Sequence, residues 1–152
     1  MQFTSLLAFT LAAFALGVGA TPAPVNTHGG VVSLAEMKAW VDAQDPANIT
    51  LVGDPFAALN NPLSQRADLE TATVTFCSTL SGSVCTVPCT TITSGPACLN
   101  APDTNCLFAT AQVSFCDHGG CGGSCNEFDS CGRVLQDGFC ATPGTNSIAI
   151  PA

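Results

Sequence analysis

Tyrosine is absent from this chain of 152 residues, tryptophan occurs once, and Lys and Arg together number three. So few cations exclude a nucleic-acid partner, because gripping a phosphate backbone releases counterions through several Lys or Arg contacts. They equally exclude the cationic amphipathic face that attacks anionic membranes. Charged residues of both signs make up only 9% of the chain and leave a net charge of −8. Ser, Thr, Asn, Gln and Gly must therefore keep much of the surface wet. Long apolar runs are also scarce. The longest, Leu6 to Val18, is about 13 residues against the ~20 of a membrane span. No cysteine precedes Cys77, and all ten lie from that position onward.

That apolar run has the size of a signal-peptide core. Val18-Gly19-Ala20 offers small residues ahead of Thr21-Pro22, so residues 1–20 read as a secretory signal cut after Ala20. The pattern departs from the usual one in having no Lys or Arg near the start. Export implies an oxidising destination, and no membrane insertion is expected once the signal is cut.

Residues 21–66 read as a pro-like segment. Ser33-Leu-Ala-Glu36 is a capping box. Leu34, Met37, Trp40 and Val41 share one face, which predicts a short amphipathic helix over about 34–43. Asp45-Pro46 ends it. Asn48-Ile49-Thr50 is an N-glycosylation sequon, and Leu51-Val52 fits an edge strand. Pro55, Asn60-Asn61-Pro62 and Ser64-Gln65-Arg66 suggest a linker. Arg66 is the only basic residue between Lys38 and Arg133, and a cut after it would leave a mature domain of residues 67–152. That domain has no Lys, Trp or Tyr, so it lacks the usual stacking faces for sugars.

The cysteines Cys77, Cys85, Cys89, Cys98, Cys106, Cys116, Cys121, Cys125, Cys131 and Cys140 permit five bridges in a domain too small to hold itself by burial alone. Eight cysteines allow ~105 pairings and ten allow nine times as many, so the sequence leaves the pairing open. Ala72, Val74 and Phe76 alternate with threonines, predicting a half-buried strand. Val84–Thr93 reads as an edge strand or two pieces broken by Pro88. Ser94-Gly95-Pro96 and Asn100–Asp103 read as turns, and Ala111–Cys116 alternates again. Asp137-Gly138 predicts a tight turn, Pro143-Gly144 a further turn, and Ser147–Ile150 a closing strand.

The densest stretch is Cys116-Asp-His-Gly-Gly-Cys121-Gly-Gly-Ser-Cys125-Asn-Glu-Phe-Asp-Ser-Cys131-Gly132. Ser124-Cys-Asn-Glu127 is a second capping box. With Cys125, Phe128 and Cys131 at three-residue spacing, it predicts a short helix over about 125–131, all three side chains inward, Gly132 as C-cap and two or more bridges pinning it. The expected fold class is thus a small disulfide-rich, β-dominated α+β domain, with short antiparallel strands and one short cysteine-bearing helix.

Chemical readings of the same stretch are weak. Cys85-x3-Cys89 and Cys121-x3-Cys125 beside His118 imitate metal-ligand spacing, but exported thiols oxidise and zinc sites favour tighter pairs. Asp117, Glu127 and Asp129 lack the regular ligand spacing of a calcium loop. Asp117-His118 near Ser124 or Ser130 invites a hydrolase reading, yet no nucleophile elbow is present. No catalytic residue, cofactor or metal is expected.

Cys106-Leu107, Phe115-Cys-Asp-His-Gly-Gly-Cys-Gly-Gly-Ser-Cys-Asn126, Ser130-Cys-Gly132, Asp137-Gly-Phe-Cys140 and Thr142-Pro-Gly-Thr-Asn-Ser-Ile148 resemble small secreted cysteine-rich proteins of mushroom-forming (basidiomycete) fungi. The Met37-Lys-Ala-Trp40 helix ahead of an Arg66-type junction resembles their N-terminal region. The resemblance implies secretion and brings no catalytic residues. A looser likeness, in cysteine number, size and export, is to five-disulfide mushroom glycan-binding proteins. The expected function is a non-enzymatic, effector-like or defence-related factor, extracellular or wall-associated, with an unknown extracellular protein or glycan as partner. The alternatives are a lectin-like module or an inhibitor of a secreted hydrolase, presenting a loop such as 94–105. A structural wall protein is a fourth class.

Overall fold

The computed structural model describes residues 30–61 and 71–152. The signal peptide with Ala20, and the junction at Arg66, lie outside the described residues. The order is α1 (Leu34–Asp42), β1 (Ile49–Val52), α2 (Ala57–Asn60), β2 (Ala72–Ser81), β3 (Val84–Ser94), β4 (Ala97–Ala109), β5 (Ser114–Cys116), β6 (Cys125–Glu127) and β7 (Cys140–Ile150). Seven strands form one sheet in the order β1-β3-β2-β4-β7-β5-β6. Five disulfides cross-link it: Cys77–Cys89, Cys85–Cys106, Cys98–Cys121, Cys116–Cys125 and Cys131–Cys140. This is a small disulfide-rich α+β protein dominated by β structure. Several of its strands are longer than the sequence pattern implies, and β1 runs parallel to β3.

The sheet must fold over itself. β2 pairs antiparallel with β4, Phe76 opposite Leu107, and Ser94 at the end of β3 lies opposite Ala72. At about 3.3 Å per residue, a straight β4 would carry Ala97 roughly 45 Å from Ser94. Only residues 95 and 96 join them, which reach no more than ~11 Å. β4 therefore bends back, at Ala101–Thr104, where its register with β7 shifts and Asp103 takes φ +56°. β7 bends beside it at Gly144, φ +81°. Strands that switch layers through such bends make the corners of packed sheets. One layer holds β1, β3, β2 and the C-terminal half of β4. The other holds the N-terminal half of β4, the C-terminal half of β7, β5 and β6. Val74, Leu107, Ala109, Val113, Ile148 and Ile150 are buried in a single cluster.

The alternation in β2 is real, but the strand is buried on both faces. Thr73 and Thr75 are 3% and 0% exposed. Thr75 lies opposite both Thr91 and Phe108, so those residues share its face. Phe108 packs edge-on against Trp40 of α1, with ring centroids 5.6 Å apart, and Trp40 and Phe108 both meet Phe139. The Thr93 hydroxyl donates to the Pro55 carbonyl at 3.0 Å. Residues 30–61, the described part of the expected pro-like segment 21–66, thus cover the threonine face with α1 and extend the sheet edge with β1. Met37 and Val41 of α1 are buried there, and both halves of the Ser33–Glu36 capping box are made. β1 is the edge strand expected at Leu51-Val52.

Two other expectations are corrected. β3 is one continuous strand, and it is internal from Cys89 onward, between β1 and β2. Pro88 sits at a register shift opposite β2, where a residue without an N–H costs no ladder bond. The helix over 125–131 does not form. Cys125–Glu127 is strand β6, followed by a single 3-10 turn at Phe128–Ser130. Pairing of Ser114 with Glu127 and Phe115 with Asn126, closed by the Cys116–Cys125 bridge, holds this segment extended. Phe128 alone of the three residues points fully inward; Cys125 is exposed. The segment is nevertheless pinned by two bridges, and the helical turn that bears a cysteine is Gly119–Cys121.

Candidate functional site

The loop between β5 and β6, residues 117–124, is largely exposed and held at several points. Cys116–Cys125 closes its base, and Cys98–Cys121 ties its middle to the N-terminal half of β4. β7 supplies a floor. The Ser147 hydroxyl donates to the His118 carbonyl and accepts from the Cys121 N–H, and Asn146 Nδ2 donates to the Asp117 carbonyl at 2.7 Å. Ser147 is completely buried. Within the loop, the Asp117 N–H donates to the Ser124 carbonyl at 3.1 Å, and the Ser124 N–H donates to Asp117 Oδ1 at 2.8 Å. Ser124 is thus bonded through its backbone to Asp117 and caps no helix.

Asp117 and His118 stand at the start of the loop, just above the Cys116–Cys125 bridge. His118 Nδ1 and Asp117 Oδ1 are 2.6 Å apart, with side chains 72% and 50% exposed. The His118 hydrogen bond, then the Ser124 amide, holds the Asp117 carboxyl below its ordinary value of 3.8. Gly123 makes this possible. Its φ is +75°, and a Cβ there would land on Asp117 Oδ1 and His118 Nδ1. A shallow depression of about 90 Å³ lies beside the loop, lined by Phe115, Asp117, Ser124, Asn126, Pro143, Gly144 and Thr145. It offers one half-buried ring beside a carboxylate, an amide and hydroxyls.

The residues weighed for calcium do not converge. Glu127 accepts from Ser114 Oγ and Asp129 from Ser130 Oγ, while Asp117 is held by His118 and Ser124. The Cys77, Cys85 and Cys106 sulfurs lie within 4.8 Å of one another, but each is in a disulfide. All ten cysteines named from the sequence are paired. Asn48 is exposed, one residue before β1. The segment 94–105, expected as a presented loop, is a two-residue turn followed by β4. Sequence reasoning missed Asn146 and Ser147, which hold the loop from across the sheet. Their signal is a Thr-Asn-Ser run in a strand, and nothing local marks it as an anchor. A comparison of the chain with protein-family models, with curated proteins and with solved structures finds no match.

Proposed function

We propose that this is a secreted, non-enzymatic cysteine-rich protein, an effector-like or defence-related factor that acts by binding at a cell surface or on another organism. Five disulfides fit an oxidising, extracellular setting, and no helix of the described residues is long and apolar enough to cross a membrane. The observation that carries the reading is the loop at 117–124. Two bridges and the Ser147 and Asn146 contacts fix its backbone, while Asp117 and His118 project into water. A loop ordered before it meets its partner loses little entropy on binding. A glycan partner is the second reading, favoured by the Phe115, Asp117 and Asn126 depression, where a ring and hydrogen-bonding groups face one small hollow.

The test is a binding screen with the oxidised full chain on intact cells, a glycan array, insoluble chitin and β-glucan. Saturable binding that is lost on reduction, and lost in Asp117→Ala with the fold intact, supports the loop as the recognition surface. Binding to cells but to no glycan selects a protein partner. Binding to none of these surfaces removes the proposal.

A further inference from the structure

No cysteine precedes Cys77, and every bridge lies between Cys77 and Cys140. Residues 30–61 are therefore joined to the strands they cover only by the peptide chain through 62–70. They are nonetheless part of the core. Met37 is fully buried, and Val32, Val41 and Phe56 are nearly so. Trp40 lies against Phe108 and Phe139. β1 pairs with β3 over four residues, and the Val32 N–H donates to the Ala109 carbonyl at 2.9 Å.

We infer that residues 30–61 are a non-covalent subunit of this fold: cutting the chain between residues 61 and 71 yields a two-chain protein whose N-terminal piece stays docked on the Thr73, Thr75, Thr91, Thr93 and Phe108 face. That face and the adjoining β3 edge from Cys89 to Ile92 form an interaction surface, and the partner that fits it is an amphipathic helix followed by a short strand, supplied here by the same chain.

The attraction is apolar and backbone-mediated. The segment carries Glu36, Asp42, Asp45 and Asp54 against Lys38, and residues 71–152 carry Asp103, Asp117, Glu127, Asp129 and Asp137 against Arg133. Both pieces are net negative, so their charges repel and salt favours retention. Departure of the piece would uncover Phe108 and Phe139 and leave β3 with an open edge from Cys89 to Ile92, which invites aggregation. A cut after Arg66 would on this account be a nick, and the working protein would keep its helix.

The experiment uses the oxidised full chain with residues 64–68 replaced by the recognition sequence of a specific protease, the cut being verified by mass. Cut and uncut proteins should elute alike on gel filtration at low and high salt. Denaturant without reductant should separate the two pieces. In Trp40→Ala the piece should leave the cut protein at least tenfold faster on dilution, whereas Lys38→Gln, at an exposed ion pair, should leave its rate unchanged. Loss of the piece from the cut wild-type protein at micromolar concentration, with the remainder folded or precipitated, overturns the inference. So does a piece that separates only after reduction.

Discussion

Gly123 is held at φ +75° against the Asp117–His118 pair, so Gly123→Ala should lower stability by about 1–2 kcal/mol, read as a fall in Tm. The pair also sets a pH dependence. The Asp117 carboxyl titrates lower in the folded chain than its ordinary 3.8. Its contribution is therefore present above that pH and is lost as pH falls from there through the lowered folded value. Asp117→Asn should abolish this part of the acid dependence in equilibrium unfolding as pH falls below 3.8, and an unchanged acid limb would remove the role. Within the sheet, the Thr75 and Thr91 hydroxyls meet at 2.8 Å, both completely buried. Thr75→Val strands its partner and should cost about 1–2 kcal/mol, whereas Thr75→Val with Thr91→Val should recover most of it. Chemical denaturation of the three variants tests that non-additivity.

Two stretches of the chain carry the same capping-box signature, and only one is a helix. Ser33–Glu36 opens α1, whose apolar face then meets a sheet that needs covering. Ser124–Glu127 has the same residues, but Cys125 is bridged to Cys116 and paired across β5, so the segment is drawn out as a strand. Local propensity was legible at both places; what decided between them was a disulfide partner that sequence spacing could not name. The half-buried reading of β2 fails for a related reason. Alternation reports that two faces differ, and not what lies on the second. Trp40 is the clearest residue of that cover, and Trp40→Ala should cost about 3 kcal/mol, the low end for a ring of this size because Trp40 is half-buried. Calorimetric unfolding checks it, and the loss should exceed that of Leu51→Ala on the exposed side of β1.

At the scale of the molecule, strand content and the cysteine scaffold were readable from composition and alternation, while the fold-over was not. It depends on Asp103 and Gly144 adopting positive φ side by side, and on a register that no single stretch contains. The bridges span 12, 21, 23, 9 and 9 residues. By loop entropy, removing Cys98–Cys121 with paired serines should cost about 3.4 kcal/mol, against about 2.6 for Cys131–Cys140, as read by denaturant midpoints. The unreduced chain should take up no alkylating reagent, since every cysteine is paired. The bend also gives biosynthesis an order. Cys77–Cys89, Cys116–Cys125 and Cys131–Cys140 each join near neighbours in sequence, so they can close before the chain has folded over. Cys98 and Cys106 stand on opposite sides of the bend, one bound to the 117–124 loop and the other to β3. These two bridges must wait until the chain has doubled back, so oxidative folding passes through a species with three bridges and four thiols.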